Sequence, residues 1–412
     1  MLLIACMFPW SSPAPTASDT QPIALVLAAV YSILYVRSTS RYLWPMVIML
    51  FGGFATLLYS PNMEGIRGIT GYISILFIPL ALIHYFKTYG IPSRKFYLCI
   101  LFIWGAIAII QFWDPSIIKF LSPRTREFSL TGGRGVTSFA PEPTFYGLWL
   151  LIIATAYTVQ HNTIKIKLSR PDYAVYTLIA FQLLFLSRST LVILLVAAVV
   201  LAYLLLFRPF LLLAGTGMTT ILLSDFFLSA FGTNSEIAIE KFRIFYILSA
   251  ASSVEFSDIL SIDGSVSDRV VQILNSHIQS FNNHLMPNGY GTWRESAENL
   301  PEFLAGTYHS IDSLNRVLSL SGSVLYEVGI FSIPFIFFMI YLMTKSLPGM
   351  GNRSLLLKIF FTSVFLIQAI PLALPTISFF ISAMLCSIAI KKHIITTIPI
   401  HKNTNTPPPI NN

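Results

Sequence analysis

Apolar runs of roughly 15–22 residues, joined by short polar segments, recur along most of this 412-residue chain. In lipid, runs of that length satisfy their backbone groups only as helices. With 55% hydrophobic and 11% charged residues, the chain is expected to be an all-α, polytopic membrane protein. One run tests the rule. Tyr173 to Phe207 is apolar for thirty-five residues, interrupted only by Ser187-Arg188-Ser189. A single helix of that length would be about 50 Å long, against a hydrocarbon core of about 30 Å. It is therefore expected to fold into two spans with Arg188 at the tip.

The whole pattern gives eleven spans: Ile23–Val36, Leu43–Tyr59, Ile69–Phe86, Phe96–Trp113, Pro143–Val159, the pair within Tyr173–Phe207, Phe210–Phe231, Ser319–Thr344, Leu355–Ile370 and Thr376–Ile390. Leu2–Trp10 is apolar but too short to span. It would be the remnant of a twelfth span if the true start lay upstream. The organisation is then a helical bundle over 1–231 with a long connection at 114–142, a polar segment at 232–318, further spans over 319–390, and a Pro-rich polar tail at 391–412 expected to be disordered. No internal repeat is visible. Trp44, Trp104, Trp113 and Trp149 lie within or near span ends and are expected as interfacial anchors. Cys6, Cys99 and Cys386 fall in apolar runs without pairing or metal-ligand spacing, and are expected as buried hydrophobes. No metal site is indicated.

The segment from about Gly232 to about Leu318 dominates the rest. A polar insert of this length in a compact membrane protein is usually functional. It carries His277, His284 and His309, five lysines or arginines and ten acids. Glu236–Ala251 and Ser267–Phe281 place apolar residues at helical spacing, with Ser265 and Ser267 as candidate N-caps of the second. Both helices are expected to lie on the membrane surface. Pro287–Gly291, PNGYG, is a turn.

Charge orients the chain. One set of alternate loops holds fifteen of the twenty-six lysines and arginines and a single acid, Asp172. That set is expected to be cytoplasmic, together with the C-terminus. The 114–142 connection, the Arg188 tip and the 232–318 loop then share the opposite face. The net charge of +8, distributed in this way, points to topology and not to nucleic acid.

Four arginines fall on that opposite face close to apolar sequence: Arg134 in GGRGVTSFAPEPTFYG, Arg188, Arg269 opening an amphipathic helix, and Arg316 just before a span. An arginine so placed is costly unless it meets an anion, and its planar fork matches phosphate and diphosphate oxygens. The competing explanation is that each snorkels to headgroups or pairs with an acid such as Glu127, Asp268 or Asp312. Glu142-Pro143 suits the first turn of a helix on structural grounds alone. Glu142 also lies eight residues after Arg134 and is a candidate to orient it, to bind a sugar hydroxyl or, failing His309, to take the acceptor's proton. His309, near the return to the membrane, is the first candidate base. His277, eight residues after Arg269, is the second, and His284 the weakest.

The order GRGVTSFAPEPTFYG, a span ending in LSRST, a large loop with DGSVSDR and PNGYG, then YEVGIF at the return, resembles the O-antigen polymerase (Wzy-type) group of the O-antigen ligase and polymerase superfamily. The resemblance implies a GT-C-like helical glycosyltransferase of the bacterial inner membrane, multi-pass and working on its periplasmic face without cofactor or metal. Its partners would be the bilayer, an undecaprenyl-diphosphate-linked oligosaccharide and, in some systems, a chain-length regulator. The resemblance implies diphosphate-binding roles for Arg134, Arg188 and Arg269, joined by Arg316, and a role for Glu142 as the acid before proline. Ligase-type members carry a catalytic histidine followed by asparagine; here Ser310 follows His309 and Glu327 lies eighteen residues on. Alternatives are an O-antigen ligase acting on lipid A-core, a flippase or transporter of the lipid-linked unit, and a structural scaffold. Transport predicts mid-span charges, short loops and a repeat, a pattern this chain does not follow.

Overall fold

The computed structural model describes residues 1–10, 22–37, 41–59, 61, 63–114, 135–162, 169–208, 264–298, 317, 319–344 and 372–397. Within them every regular element is helical: α1 (Leu2–Met7), α2 (Ile23–Tyr35), α3 (Trp44–Tyr59), α4 (Met63–Tyr89), α5 (Arg94–Trp113), α6 (Pro143–Asn162), α7 (Arg170–Phe181), α8 (Thr190–Phe207), α9 (Gly264–Asn282), α10 (Trp293–Glu298), α11 (Leu320–Val328), α12 (Ile333–Thr344) and α13 (Pro375–Thr397). Four stretches among them are long and apolar enough to cross a bilayer: Arg41–Leu58, Gly68–Tyr89, Arg94–Trp113 and Leu320–Leu342. Their outer faces carry Phe51, Leu58, Phe102 and Phe337. A row of large apolar side chains facing outward is costly in water and natural in lipid. The protein is a helical membrane protein. The expected spans at 210–231 and 355–370, the loop helix at 236–251 and the tail lie outside the described residues.

From α3 to α8 the helices alternate in direction. The C-terminal ends of α3 and α5, the N-terminal ends of α4 and α6, and the α7–α8 junction therefore share one end of the bundle. α13 packs between α4 and α6, and α4 also packs on α2 and α3. Buried aromatics fill the centre. Trp104 of α5 stacks on Trp149 of α6 with ring centroids 4.0 Å apart, and Tyr146 lies against the same indole. Trp104 and Trp149 are therefore core residues rather than interfacial anchors, whereas Trp44 and Trp113 are exposed at helix ends. Among the cysteines Cys6 and Cys386 are buried, but Cys99 is exposed, against expectation. α1 packs into the bundle. Its last carbonyls are taken up inside the bundle, Cys6 by the Thr376 hydroxyl at 3.1 Å and Met7 by the Trp104 indole N–H at 3.2 Å, which satisfies acceptors a short helix leaves open.

At the other end, one ion pair ties α5 to α7. Arg94 Nε meets Asp172 Oδ1 at 3.0 Å. Tyr157 donates to the same carboxylate, and so do the Ser169 backbone N–H and hydroxyl. Asp172 thus closes the first turn of α7 from within. Burial alone would raise its pKa. The Tyr157 and Ser169 hydrogen bonds and the Arg94 charge outweigh burial and hold the carboxyl below its ordinary value.

One sequence expectation is corrected by the start of α9. Ser265 and Ser267 lie inside the first turn of α9 and do not cap it, because the helix begins at Gly264. The helix over the Ser267–Phe281 stretch is found, and α9 packs against the bundle. Ser276 and His277 meet Gly322 and Ser321, and Leu285, just past its end, meets Ile330. The helix therefore runs beside α11 in the same direction.

Candidate functional site

The apolar run from Tyr173 breaks at Arg188, as its length requires. Before the break α7 widens into a π turn over Gln182–Ser187, and Arg188 follows in the left-handed region at φ 43°. π turns cluster at functional sites, and a left-handed non-glycine residue needs its surroundings to hold it. Here the supports are explicit. The buried Gln182 side chain donates to the Leu101 carbonyl at 2.9 Å and accepts from the Tyr146 hydroxyl at 2.7 Å. Ser187 Oγ donates to Leu183 O. Arg188 Nε donates to Phe185 O at 3.1 Å, and its guanidinium lies 5.8 Å from the Phe112 ring centroid. No carboxylate among the described residues pairs with it. The two terminal amino groups of the fork remain available for an anion.

The π turn also holds the segment after Arg134. The Val136 N–H donates to Leu186 O at 2.8 Å, and a Cβ on Gly135 would stand 2.0 Å from Ser187 O. Only glycine permits that approach. From Val136 to Ala140 the chain is buried but not helical. Such backbone is tolerated inside a membrane protein only when its polar groups are satisfied by protein. Gln111 does this from the end of α5. Its carbonyl oxygen accepts from the N–H groups of Thr137 and Ser138, and its amide donates to the Thr137 hydroxyl at 2.8 Å. Ser138, at φ 53°, donates its hydroxyl to Trp104 O. Glu142 follows, half-buried, and its carbonyl accepts from Tyr146 N. Thr144 meets Ser189 at 3.3 Å. The covalent neighbours of Arg188 thus touch the covalent neighbour of Arg134 on one side and the first turn after Glu142 on the other.

A second polar cluster lies at the same end. Glu327 of α11 accepts from the Tyr72 hydroxyl of α4 at 2.7 Å. Tyr290 of the PNGYG turn packs edge-on to Tyr72, with centroids 5.9 Å apart. It enters a slot left by Gly53 and Gly68, where a Cβ would stand 2.7 and 2.5 Å from its atoms. Burial and the Glu327 carboxylate push the Tyr290 phenol well above its ordinary pKa, so it is neutral at any physiological pH. The break after α11 builds this contact. Gly329 takes φ 56°, so the helix stops and the carbonyls of Tyr326 and Glu327 turn to Asn288 N at 3.0 Å and Gly289 N at 3.3 Å. The PNGYG and YEVGIF motifs are thus two halves of one joint.

The other sequence candidates fall as follows. His277 has both ring nitrogens engaged, Nδ1 with Ile273 O at 2.7 Å and Nε2 with Ser321 Oγ at 3.3 Å; it clips α9 to α11. His284 is exposed at the end of α9 with φ 51°. Arg269 lies on α9, two turns before His277, and its side chain is outside the described residues, as are Arg134, His309 and Arg316 altogether. Sequence reasoning gave no role to two residues, Gln111, which it did not single out, and Glu327, which it noted only by its distance from His309. Glu327 carried a usable signal, since an ionisable residue inside an apolar run is functional by default. Gln111, one polar residue at a span end, carried none. Among the described residues no group of three His, Cys, Asp or Glu stands close enough to hold a metal ion. Compared with family models, with curated proteins and with solved structures, the chain matches none of them.

Proposed function

We propose that this protein is a glycosyltransferase that polymerises oligosaccharide units carried on an undecaprenyl diphosphate, at the periplasmic face of the bacterial inner membrane. The observation that carries the proposal is Arg188, a guanidinium held at a helix break with no carboxylate partner among the described residues, and with its neighbour Ser187 packed against Gly135. A guanidinium at one end of a helical membrane bundle suits a diphosphate at the lipid boundary, and Arg134, next in sequence to the Gly135 that packs here, is proposed to join it. The charge distribution along the loops supports the periplasmic side.

In this mechanism Arg188 and Arg134, with Arg269 and Arg316 from the long loop, hold the donor diphosphate. The acceptor hydroxyl oxygen attacks the anomeric carbon of the donor chain. The bond from that carbon to the diphosphate breaks, the lipid diphosphate leaves with the electron pair, and the arginines stabilise the charge that develops on it. The hydroxyl proton passes to a base. His309 and Glu142 are the bases drawn from the sequence; Glu327, anchored by Tyr72, joins them on geometry.

The test is the surface polysaccharide of cells producing Arg188→Ala at normal protein level. Loss of one such charged donor is expected to slow transfer about 100- to 1000-fold, which leaves single repeat units on the core and removes the long-chain ladder. An unchanged ladder refutes the role. Complete loss of even the single unit would indicate the ligase instead.

A further inference from the structure

α9 is packed inside out for a helix in water. Among its described side chains, 271–282, those it buries completely are Gln272, Asn275, Ser276 and Ser280, together with Val271, while Ile273 and Ile278 are half-buried. Those it turns outward include Leu274 and Phe281, and Met286 in the turn beyond is equally bare, Phe281 and Met286 each 62% exposed. A loop helix on an aqueous domain buries its apolar stripe and solvates the other. The reverse arrangement needs an apolar medium outside.

The surroundings identify that medium. Leu285 O accepts from Ile330 N at 2.7 Å, which joins the turn after α9 to the start of the 3₁₀ segment Gly329–Ser332. Ile330 is itself exposed, and its neighbour Phe331 meets Phe51 of α3 with centroids 6.3 Å apart. The outer face of α3 continues through Phe54 to Leu58, 82% exposed near the end of a membrane-spanning stretch. One apolar surface therefore runs from the lipid-facing side of α3 across Phe331 and Ile330 to Met286 and Phe281. The depth agrees. Gly289 lies against Thr56 and Tyr290 against Gly53, three and six residues before the end of α3 at Tyr59, so the turn reaches about 5–9 Å below that end. Asn282, Asn283 and His284 are exposed between the apolar residues, a mixture suited to the headgroup layer and not to the bilayer centre. The backbone of the turn is satisfied by Tyr326 and Glu327 carbonyls and by its own bonds, as non-helical chain at this depth requires.

We propose that α9 and the turn up to Gly291 form an interfacial limb that dips into the lipid leaflet on this side, with Leu274, Phe281, Met286 and Ile330 in contact with acyl chains. The limb carries Tyr290 into the bundle beside Glu327, so the lipid surface itself holds one wall of the polar cluster. This claim concerns only the lipid contact and stands or falls separately from the glycosyltransferase proposal.

The test uses the full chain in phospholipid nanodiscs, with Cys99 replaced by serine and a nitroxide attached at Phe281→Cys, Met286→Cys or Asn282→Cys. Leu58→Cys supplies the lipid-facing reference and reports that the bundle is folded. Labels at 281 and 286 are expected to relax with dissolved oxygen as strongly as that at 58, and several-fold less with a water-soluble nickel chelate than the label at 282. Equal access of the chelate to 281, 286 and 282 would overturn the proposal by placing the limb in water. Labels at 281 and 286 shielded from both reagents would overturn it by showing a protein surface, a second copy or another partner, in place of lipid.

Discussion

Arg188, Gln111 and Glu327 each do something different for the site. Arg188 supplies charge. Arg188→Lys keeps the charge but loses the two-pronged grip, and is expected to retain a reduced ladder where Arg188→Ala has none; polysaccharide gels at matched protein levels check this. Gln111 supplies hydrogen bonds. Gln111→Leu leaves the buried N–H groups of Thr137 and Ser138 without their acceptor, at a cost of about 1–3 kcal/mol for each group. Thermal unfolding in detergent should show a lower midpoint, with activity lost at lower temperature. Glu327 supplies a carboxylate fixed by Tyr72. Glu327→Gln is nearly isosteric and keeps an acceptor for the Tyr72 hydroxyl. If the carboxylate takes the acceptor proton, polymerisation falls sharply while the protein still folds and binds donor. Equal rates for wild type and Glu327→Gln would assign the proton to His309 or Glu142.

The helix breaks decide what the helices can hold. The π turn before Arg188 turns Leu186 O toward Val136 N, and Gly135 lets the two chains meet. Gly135→Ala drives a methyl into the Ser187 carbonyl and is expected to destabilise by about 3 kcal/mol and to separate the two arginine-bearing segments. A lowered unfolding midpoint together with a lost ladder would fit; a fully active, equally stable variant would not. The same comparison shows what was legible beforehand. Within the described residues several helix positions were, because apolar run length fixes them: α5 matches its expected span to within two residues, and the thirty-five-residue run breaks at its one arginine. The register of the breaks was not. A π turn depends on which carbonyl finds an outside donor, and that donor, Val136 N, lies about fifty residues away in sequence. Trp104 and Trp149 were misplaced for a related reason. A tryptophan at a span end and one stacked in a bundle core have similar local sequence, and only the facing helix distinguishes them. The direction of α9 depends on His277 and Ser276 finding Ser321 and Gly322, again a matter of partners remote in the chain.

The bundle as a whole has two polar ends with different tasks. At one, Arg94 and Asp172 form a closed pair with every strong group engaged. At the other, Arg188 meets no carboxylate among the described residues. The closed end gives a pH prediction. The Asp172 carboxyl is held below its ordinary value in the folded protein, so its contribution is fully present above that ordinary value, about pH 4, and is lost as pH falls through the lower folded value. Asp172→Asn, which leaves Arg94 without a charge partner, should cost about 3 kcal/mol at neutral pH. The difference in unfolding midpoint between wild type and variant should shrink only below about pH 4. A difference that disappears already at pH 6 would contradict the assignment. At the Arg188 end, the most direct measurement is the binding of an isoprenoid diphosphate to the purified, reconstituted protein. Wild type is expected to bind it, and Arg188→Ala to bind it at least tenfold more weakly while binding the uncharged isoprenoid alcohol no differently. Equal affinity of the two proteins for the diphosphate would contradict a site built on an arginine fork.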